Sequence, residues 1–152
     1  MMQSGTARCQ RQKEIVRSNP NLDVNWRRDE CGHPALNHAC SDGHDSVVSI
    51  LLAHPDIIEL YWRNSFMKAC FYGHTSCVRL LLEDSRLHNP NEPDNAGYTP
   101  LRGAACSGNL GIIKWWITSG KEVNLGQPGH WRTDAIKVAK ERGTTKVATL
   151  LE

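Results

Sequence analysis

The chain has 152 residues, of which 39% are hydrophobic and 22% are charged, and its formal net charge is +2. It contains no apolar run of about 18 residues, which a membrane-spanning helix needs, and its first residues lack the apolar stretch of a secretory signal. The sequence therefore predicts no membrane-spanning helix. The small net charge does not indicate a polyanionic partner such as a nucleic acid.

A helix-turn-helix unit recurs along the chain, preceded by a segment that holds only its second half. In that segment the stretch from Ile15 to Asn25 parallels the stretch from Ile50 to Ile57, and both contain a proline, which cannot continue a helix. We expect residues 1–30 to form a capping half-repeat that begins with a frayed helix or a tail. Its cations are expected to form a solvated surface, with a nucleic-acid or membrane contact as the alternative. They are Arg8, Arg11, Lys13, Arg17, Arg27 and Arg28.

The first full unit, Ala35 to Leu52, consists of a short helix, a glycine turn and a second, apolar helix. It recurs at residues 66–82, 101–117 and 136–152, and the turn glycines are spaced by 30, 35 and 35 residues. Such periods are typical of a solenoid, in which each unit buries its apolar face against its neighbours. The sequence therefore predicts one all-α helical solenoid over residues 1–152. Its predicted parts are repeat 1 at 31–62, repeat 2 at 63–93, repeat 3 at 94–128 and a C-terminal capping repeat at 129–152.

Alignment on the turn glycines Gly43, Gly73, Gly108 and Gly143 places apolar residues in common columns. In the first helix these are Leu36/Phe66/Leu101/Ile136 and Ala39/Ala69/Ala104/Ala139. In the second helix they are Val47/Cys77/Ile112/Val147, Val48/Val78/Ile113/Ala148 and Leu51/Leu81/Trp116/Leu151. Positions i, i+1 and i+4 lie on one helical face, so we expect these columns to be buried. Trp115 and Trp116 are both predicted to pack in the core.

These motifs resemble the ankyrin repeat, whose signature is T-P-L-H-x-A, then a Gly-His turn, then V-V-x-L-L-L. Thr99-Pro100-Leu101 matches the opening, Gly43-His44 and Gly73-His74 match the turn, and Val47 to Leu52 matches the second helix. The resemblance covers residues 13–152. It implies stacked helix-turn-helix repeats with short β-hairpin fingers between them, and a non-catalytic role in binding other proteins.

The fingers implied by the resemblance fall at residues 26–34, 92–99 and 126–133, where turn-forming residues cluster. The finger of repeat 2 is truncated, because four residues lead from Trp62 to Phe66 where ten lead from Trp26 to Leu36. We expect the linker at residues 56–62 to fold down over the gap, or the preceding helix to extend. Ser65 is then the only plausible helix cap, and the repeat is predicted to be locally weak.

Histidine and cysteine residues cluster between Cys31 and His44, but without the paired spacing of a zinc site. The resemblance implies instead that His44 and His74 bond to the backbone of the adjoining loop. We expect the cysteines to be free thiols that act as small hydrophobic residues in a reducing, intracellular compartment, either cytoplasmic or nuclear. We expect no metal site.

The chain has no phosphate-binding glycine loop, no G-x-S-x-G and no H-E-x-x-H, and its carboxylates are scattered rather than paired. We therefore expect no catalysis and no cofactor. We also expect the protein to be a monomer.

The resemblance implies that a partner binds the concave side, at the finger tips and at the two positions before each turn glycine. Phe71 and Tyr72 are distinctive because polar residues occupy most equivalent positions, and aromatic residues are enriched in binding hot spots. They are interpreted either as binding anchors or as filling for the truncated-finger gap. Tyr98 and Trp131 either form an aromatic strip with Tyr72 or stack finger to finger. The predicted partner-binding residues are Arg28, Asp29, Asp42, Phe71, Tyr72, Asn95, Tyr98, Ser107, Trp131 and Arg132.

The leading hypothesis is a non-catalytic module that binds a protein partner. The second is a structural fragment or degenerate copy with no partner, which the truncated finger, Gly103 inside a helix and the loss of T-P before the last repeat favour. A third, weaker hypothesis is a nucleic-acid or metal-binding accessory protein.

Overall fold

The computed structural model describes residues 5–27 and 33–152, and every regular element among them is an α-helix. The first helix, α1, spans Gly5–Ser18. The others are α2 (Ala35–Asp42), α3 (Asp45–Leu52), α4 (Glu59–Tyr72), α5 (Thr75–Glu83), α6 (Pro100–Ser107), α7 (Leu110–Thr118), α8 (Ala135–Glu141) and α9 (Thr145–Leu151).

The helices stack in two layers. The first helices of the repeats contact one another in the order α2, α4, α6 and α8, while the second helices form the order α1, α3, α5, α7 and α9. The fold is therefore a helical solenoid, as predicted. None of the helices in the described ranges is long and apolar enough to cross a membrane.

The two helices of a repeat are joined by a glycine in the left-handed conformation. Gly43 and Gly73 have φ values of 76° and 77° and form the C-caps of α2 and α4. An L-residue rarely adopts this conformation, because its Cβ would crowd the backbone. The turn glycines thus end the first helix and reverse the chain, and the second helix begins two residues later.

The predicted core columns are mostly buried. The four stacked alanines are almost inaccessible, as are Leu36, Phe66 and Leu101, whereas Ile136 in the capping repeat is half-buried. Two expectations were wrong. Val47 is 43% exposed, because the half-repeat before it supplies α1 but no first helix to cover it. Trp115 is also 43% exposed, since it lies one position off the buried face that Trp116 occupies.

The fingers predicted at residues 92–99 and 126–133 are turns rather than paired strands, and most of the finger predicted at 26–34 lies outside the described residues. An isolated bridge between Arg27 and Pro34 is the sole strand-type pairing in the described part of the chain. The turn before α6 is held instead by Asp94, whose Oδ1 accepts hydrogen bonds from the Ala96 and Tyr98 backbone N–H groups, both at 2.9 Å. Because this carboxylate satisfies the turn locally, a longer ladder is not needed.

The truncated finger of repeat 2 is replaced by helix. Of the two alternatives expected here, extension of the preceding helix is wrong, because α3 ends at Leu52. Instead, most of the linker at residues 56–62 forms the first part of α4, which begins at Glu59. Ser65 is buried inside α4 and is not its cap; Ile58 occupies that position. Without a T-P opening, no proline or capping residue stops α4 from starting early.

Trp62, in the added part of α4, is fully buried. The Arg86 guanidinium lies 4.4 Å from the centre of its ring and donates a 2.9 Å hydrogen bond to the His54 carbonyl oxygen. Arg86 also forms a 2.9 Å ion pair with Asp84. Burial alone would raise the pKa of Asp84, but the hydrogen bonds and charge of Arg86 outweigh burial and hold it below its usual range. This cluster joins repeats 1 and 2 where the finger is missing.

A second periodic contact joins successive loops, at an interval of 33 residues that the glycine alignment missed. Asn25 donates to the Asp56 carbonyl at 2.7 Å and accepts from the Ile58 N–H at 3.0 Å. Asn91 repeats the pattern with Glu122 at 2.9 Å and Asn124 at 3.0 Å. Between them the position holds Ile58, whose side chain cannot form these bonds and is 47% exposed. The asparagine ladder is therefore interrupted at Ile58, in the loop before α4.

Candidate functional site

A groove of about 400 Å³ lies where α4 and α6 meet the turn before α6. Phe71 and Tyr72, the last residues of α4, form one side of it, and Tyr98 from the turn forms another. Met67 is buried at its lining, and Gly103 of α6 contributes no side chain. The missing side chain at Gly103 leaves room beside the α4 backbone.

The aromatic residues at the groove are paired, and Phe71 and Tyr72 are exposed while Tyr98 is half-buried. Phe71 is 49% and Tyr72 52% exposed, and their rings meet edge to face with centroids 5.3 Å apart. Tyr98 meets Trp131 in the same way at 5.5 Å. Trp62 and Phe66 are the buried aromatic residues of α4, whereas Phe71 and Tyr72 each expose about half of their surface to solvent.

Cations lie next to these rings. The Lys68 Nζ is 5.9 Å from the centre of the Tyr72 ring, and the Arg102 guanidinium is 5.1 Å from that of Tyr98. Arg102 is held in place by a 2.7 Å hydrogen bond from its Nε to the Trp131 carbonyl oxygen. The guanidinium of Arg132 lies 4.4 Å from the centre of the Trp131 ring. Contacts of this kind are stabilising and fix the orientation of the rings.

A smaller space of about 280 Å³, here called the slot, adjoins the groove. It is lined by His33 and Asn37 on one side and by the turn residues Asp94 to Ala96 on the other. Met67 and Lys68 of α4 line both spaces. The slot therefore lies between the segment before α2 and the turn before α6, where the finger of repeat 2 is absent.

The structure brings some predicted site residues together and separates others. Phe71, Tyr72 and Tyr98 line the groove, and Asn95 lines the slot. Trp131 and Arg132 contact Tyr98 at the rim of the groove. Asp42 and Ser107 are exposed but line neither space, and the Ser107 Oγ donates to the Ala104 carbonyl at 2.8 Å. Arg28 and Asp29 lie outside the described residues.

Sequence reasoning missed Met67, Lys68 and Arg102 as lining residues. Lys68 shares a first-helix column with Gly103, and this column faces the groove in both repeats. A glycine in such a column, next to a lysine in the preceding repeat, was the available signal for an open space.

The histidine expectation was correct for His74, whose Nε2 lies 2.9 Å from the Ser41 carbonyl oxygen in the preceding repeat. Asn109 occupies the same place one repeat later and donates to the Gly73 carbonyl at 2.9 Å. His44 is exposed, and the described residues of the half-repeat before it contain only α1 and no first helix whose carbonyl group could accept from its ring. In the described ranges, no three metal-ligating side chains are grouped closely enough to hold an ion.

The buried cysteines are poor nucleophiles. Burial raises the pKa of Cys40 and of Cys70 well above the usual thiol value. Burial and the charge of Asp45 raise the pKa of Cys77 to about 11. Cys106 is only half-buried at the groove. Since the thiolate is the reactive form, the three buried thiols are unsuited to covalent chemistry.

We expect alkylation by iodoacetamide to follow this order of burial. In the folded protein Cys106 is modified before Cys40, Cys70 and Cys77, and unfolding in urea removes the difference. Peptide mapping by mass spectrometry after timed labelling measures each rate. Labelling of Cys77 as fast as that of Cys106 under native conditions would contradict the described packing.

Replacement of Gly103 with alanine is expected to stabilise the protein by up to about 1 kcal/mol, because alanine is the better helix former. The added Cβ would lie 3.5 Å from the Phe71 Cα and N atoms, which is ordinary van der Waals contact. Gly111→Ala in α7 is the control, and it is expected to stabilise the protein less, because its Cβ would lie 3.1 Å from the Asn109 Oδ1. Urea-induced unfolding compares the two, and a destabilised Gly103→Ala variant would show that the helices pack more tightly here than described.

Comparison with known proteins agrees with the repeat architecture. Residues 6–84 and 61–127 match the family described as ankyrin repeats in three copies. The chain is 30% identical over 106 residues to the tyrosine-protein kinase HTK16 of Hydra vulgaris, covering 68% of this chain and 13% of the kinase. It is 27% identical over 136 residues to the putative ankyrin repeat protein YahD of Escherichia coli, covering 85% of this chain and 66% of YahD. It is 40% identical over 93 residues to the probable E3 ubiquitin-protein ligase XBOS33 of Oryza sativa, covering 59% of this chain and 17% of the ligase. The chain thus spans less than two thirds of the length of these relatives.

Proposed function

Because the chain belongs to the ankyrin-repeat family, we propose that it is a non-catalytic module that binds a protein partner through the groove and the turns around it. Ankyrin repeats are generally protein-protein interaction modules, and the matches to a kinase and a ligase run through repeats.

The observation that carries the proposal is the exposure of Phe71 and Tyr72 at the end of a rigid helix. About half of each ring faces solvent, although equivalent positions in the other repeats hold mainly polar residues. Burying these rings against a partner would remove a large apolar area from water, which favours association. The neighbouring cations Lys68 and Arg102 supply orientation and specificity.

The site is pre-organised, which supports binding without a large rearrangement. The turn that carries Tyr98 is fixed by Asp94, and Arg102 is fixed by the Trp131 carbonyl. Ordering entropy lost on binding is therefore small, which raises the affinity obtained from a given contact area.

A degenerate copy without a partner is the second candidate, and the interrupted asparagine ladder at Ile58 favours it. A decayed repeat would leave the array marginally stable, and its exposed aromatic residues would be incidental. The two candidates differ in an observable way. A binding module melts as a cooperative unit and retains a specific protein through its groove.

The test is a pull-down from host lysate with three proteins: wild type, Phe71→Ala/Tyr72→Ala, and Trp115→Ala/Ile117→Ala. The last variant removes two exposed apolar side chains of α7 that line no part of the groove. Circular dichroism establishes that all three are folded. We expect a protein retained by the wild type and the α7 variant but lost by the groove variant. Equal retention by all three would refute the groove as the site, and an early, non-cooperative melt with no retained protein would support the degenerate copy.

A further inference from the structure

The slot beside the groove is a consequence of the truncated finger. Where repeat 3 has the turn at Asp94 before its first helix, repeat 2 has the added turns of α4. His33 and Asn37 on one side and Asp94 and Asn95 on the other are thus left facing an open space of about 280 Å³. Because Met67 and Lys68 line both spaces, the slot and groove are continuous along α4.

Two buried polar atoms along these spaces lack a partner. Asn37 is 4% exposed, and its Nδ2 has no hydrogen-bond partner within the described ranges. Thr99 is 9% exposed, and its Oγ1 is likewise unpaired there. Asn37 lines the slot and Thr99 the groove. A buried donor without an acceptor lowers the stability of the fold, so a ligand that supplies an acceptor to Asn37 in the slot or to Thr99 in the groove would bind more favourably.

The charges of the groove are unbalanced. Lys68, Arg102 and Arg142 line it, and none of them forms an ion pair with a carboxylate in the described part of the chain. The acidic residue of the lining is Asp94, whose Oδ1 already accepts two backbone hydrogen bonds. The lining therefore carries three positive charges against one negative charge, which favours an acidic ligand group.

We propose that the slot and groove together bind an extended segment of a partner protein that carries a carboxylate beside a bulky apolar side chain. The apolar side chain packs on Phe71 and Tyr72, and the carboxylate lies between Lys68 and Arg102. A backbone carbonyl of the segment accepts from the Asn37 Nδ2 in the slot. This inference rests on the proposed function and specifies the chemistry of the partner.

The experiment is a selection of random linear peptides on the full chain. The best-enriched peptide is then synthesised with a fluorescent label, beside a version in which each Asp or Glu is replaced by its amide. We expect enriched peptides to share an acidic residue next to an aromatic or large aliphatic one. Anisotropy titration is expected to show at least about tenfold weaker binding of the amide version.

Matched variants locate the contacts. Lys68→Glu is expected to lower the affinity for the acidic peptide at least about tenfold. Lys114→Glu, which reverses an exposed charge on α7, is expected to leave this affinity unchanged. Asn37→Leu is expected to weaken binding about threefold without lowering the melting temperature, because it removes an unpaired buried donor. A purely structural role for Asn37 would instead lower stability and leave affinity unaffected.

The outcomes separate this inference from the proposed function. If the enriched peptides lack acidic residues, or if they bind the wild type and Lys68→Glu with equal affinity, the chemistry proposed for the partner is wrong. Loss of peptide binding in Phe71→Ala/Tyr72→Ala would in that case still support the groove as the binding site. If no linear peptide is enriched, an extended segment is not the occupant, and the pull-down decides whether a folded partner binds there. Tighter binding of labelled single-stranded poly(dT) than of the best peptide would also overturn the inference in favour of a nucleic acid.

Discussion

Trp62→Ala is expected to lower the free energy of unfolding by about 3–5 kcal/mol, among the largest effects of any single change in the chain. The side chain is fully buried and is contacted on one face by the Arg86 guanidinium at 4.4 Å. Its removal would leave a cavity at the junction of repeats 1 and 2, and Arg86 would lose the ring that it stacks on. Urea-induced unfolding followed by circular dichroism measures the change.

The chain provides its own control for this prediction. Trp26 precedes α2 much as Trp62 precedes the rest of α4, but it is 61% exposed. Trp26→Ala is therefore expected to change stability by less than about 0.5 kcal/mol. Similar losses for the two variants would mean that Trp62 does not bridge the repeats as described.

Gly126→Ala is the second large effect, with an expected loss of more than about 3 kcal/mol. Gly126 has a φ of 84°, and a Cβ there would lie 2.0 Å from the Thr133 carbonyl oxygen. Separating the two backbone segments would break the hydrogen bonds that close the loop, from Gln127 N to Thr133 Oγ1 and from Ala135 N to the Leu125 carbonyl.

Gly129→Ala separates the two contributions to this loss. Gly129 also has a positive φ, 79°, but an added Cβ would meet no atom within 4 Å. Its expected loss is the conformational part alone, about 1–2 kcal/mol. Thermal melts of both variants give the comparison, and a loss for Gly129→Ala as large as that for Gly126→Ala would show that the Thr133 contact is not limiting.

Much of the fold was predictable because its determinants are local. Each turn glycine and each stacked alanine such as Ala69 carries its constraint within a single repeat, so recurrence along the chain revealed them. The hairpin predicted at residues 92–99 is a turn without paired strands, because Asp94 satisfies the turn with its own side chain. The cap predicted at Ser65 was wrong, because no proline or capping residue before it prevents α4 from starting at Glu59.

Other features escaped prediction because they depend on contacts between repeats. The asparagine ladder has a period of 33 residues, but one of its positions holds Ile58, which hid the pattern. The exposure of Val47 depends on a helix that the half-repeat lacks.

The candidate site was predictable to the extent that it depends on single positions. Phe71 and Tyr72 could be found because aromatic residues stand where other repeats have polar ones. Lys68 and Arg102 could not, because their importance arises from the space at Gly103 and from the missing finger, which lie in different repeats. The orphan donor of Asn37 was also invisible, since its burial depends on packing against α4.

Site-specific photo-crosslinking tests whether a partner protein occupies the groove beside Phe71 and Tyr72. The photoreactive residue p-benzoylphenylalanine is placed at position 72 in one protein and at position 115 in another. We expect position 72 to crosslink to a partner protein, with the attachment point next to an acidic residue of that partner, and position 115 to give no crosslink. Crosslinking from position 115 but not from position 72 would refute binding in the groove, because it would place the partner on the second helices.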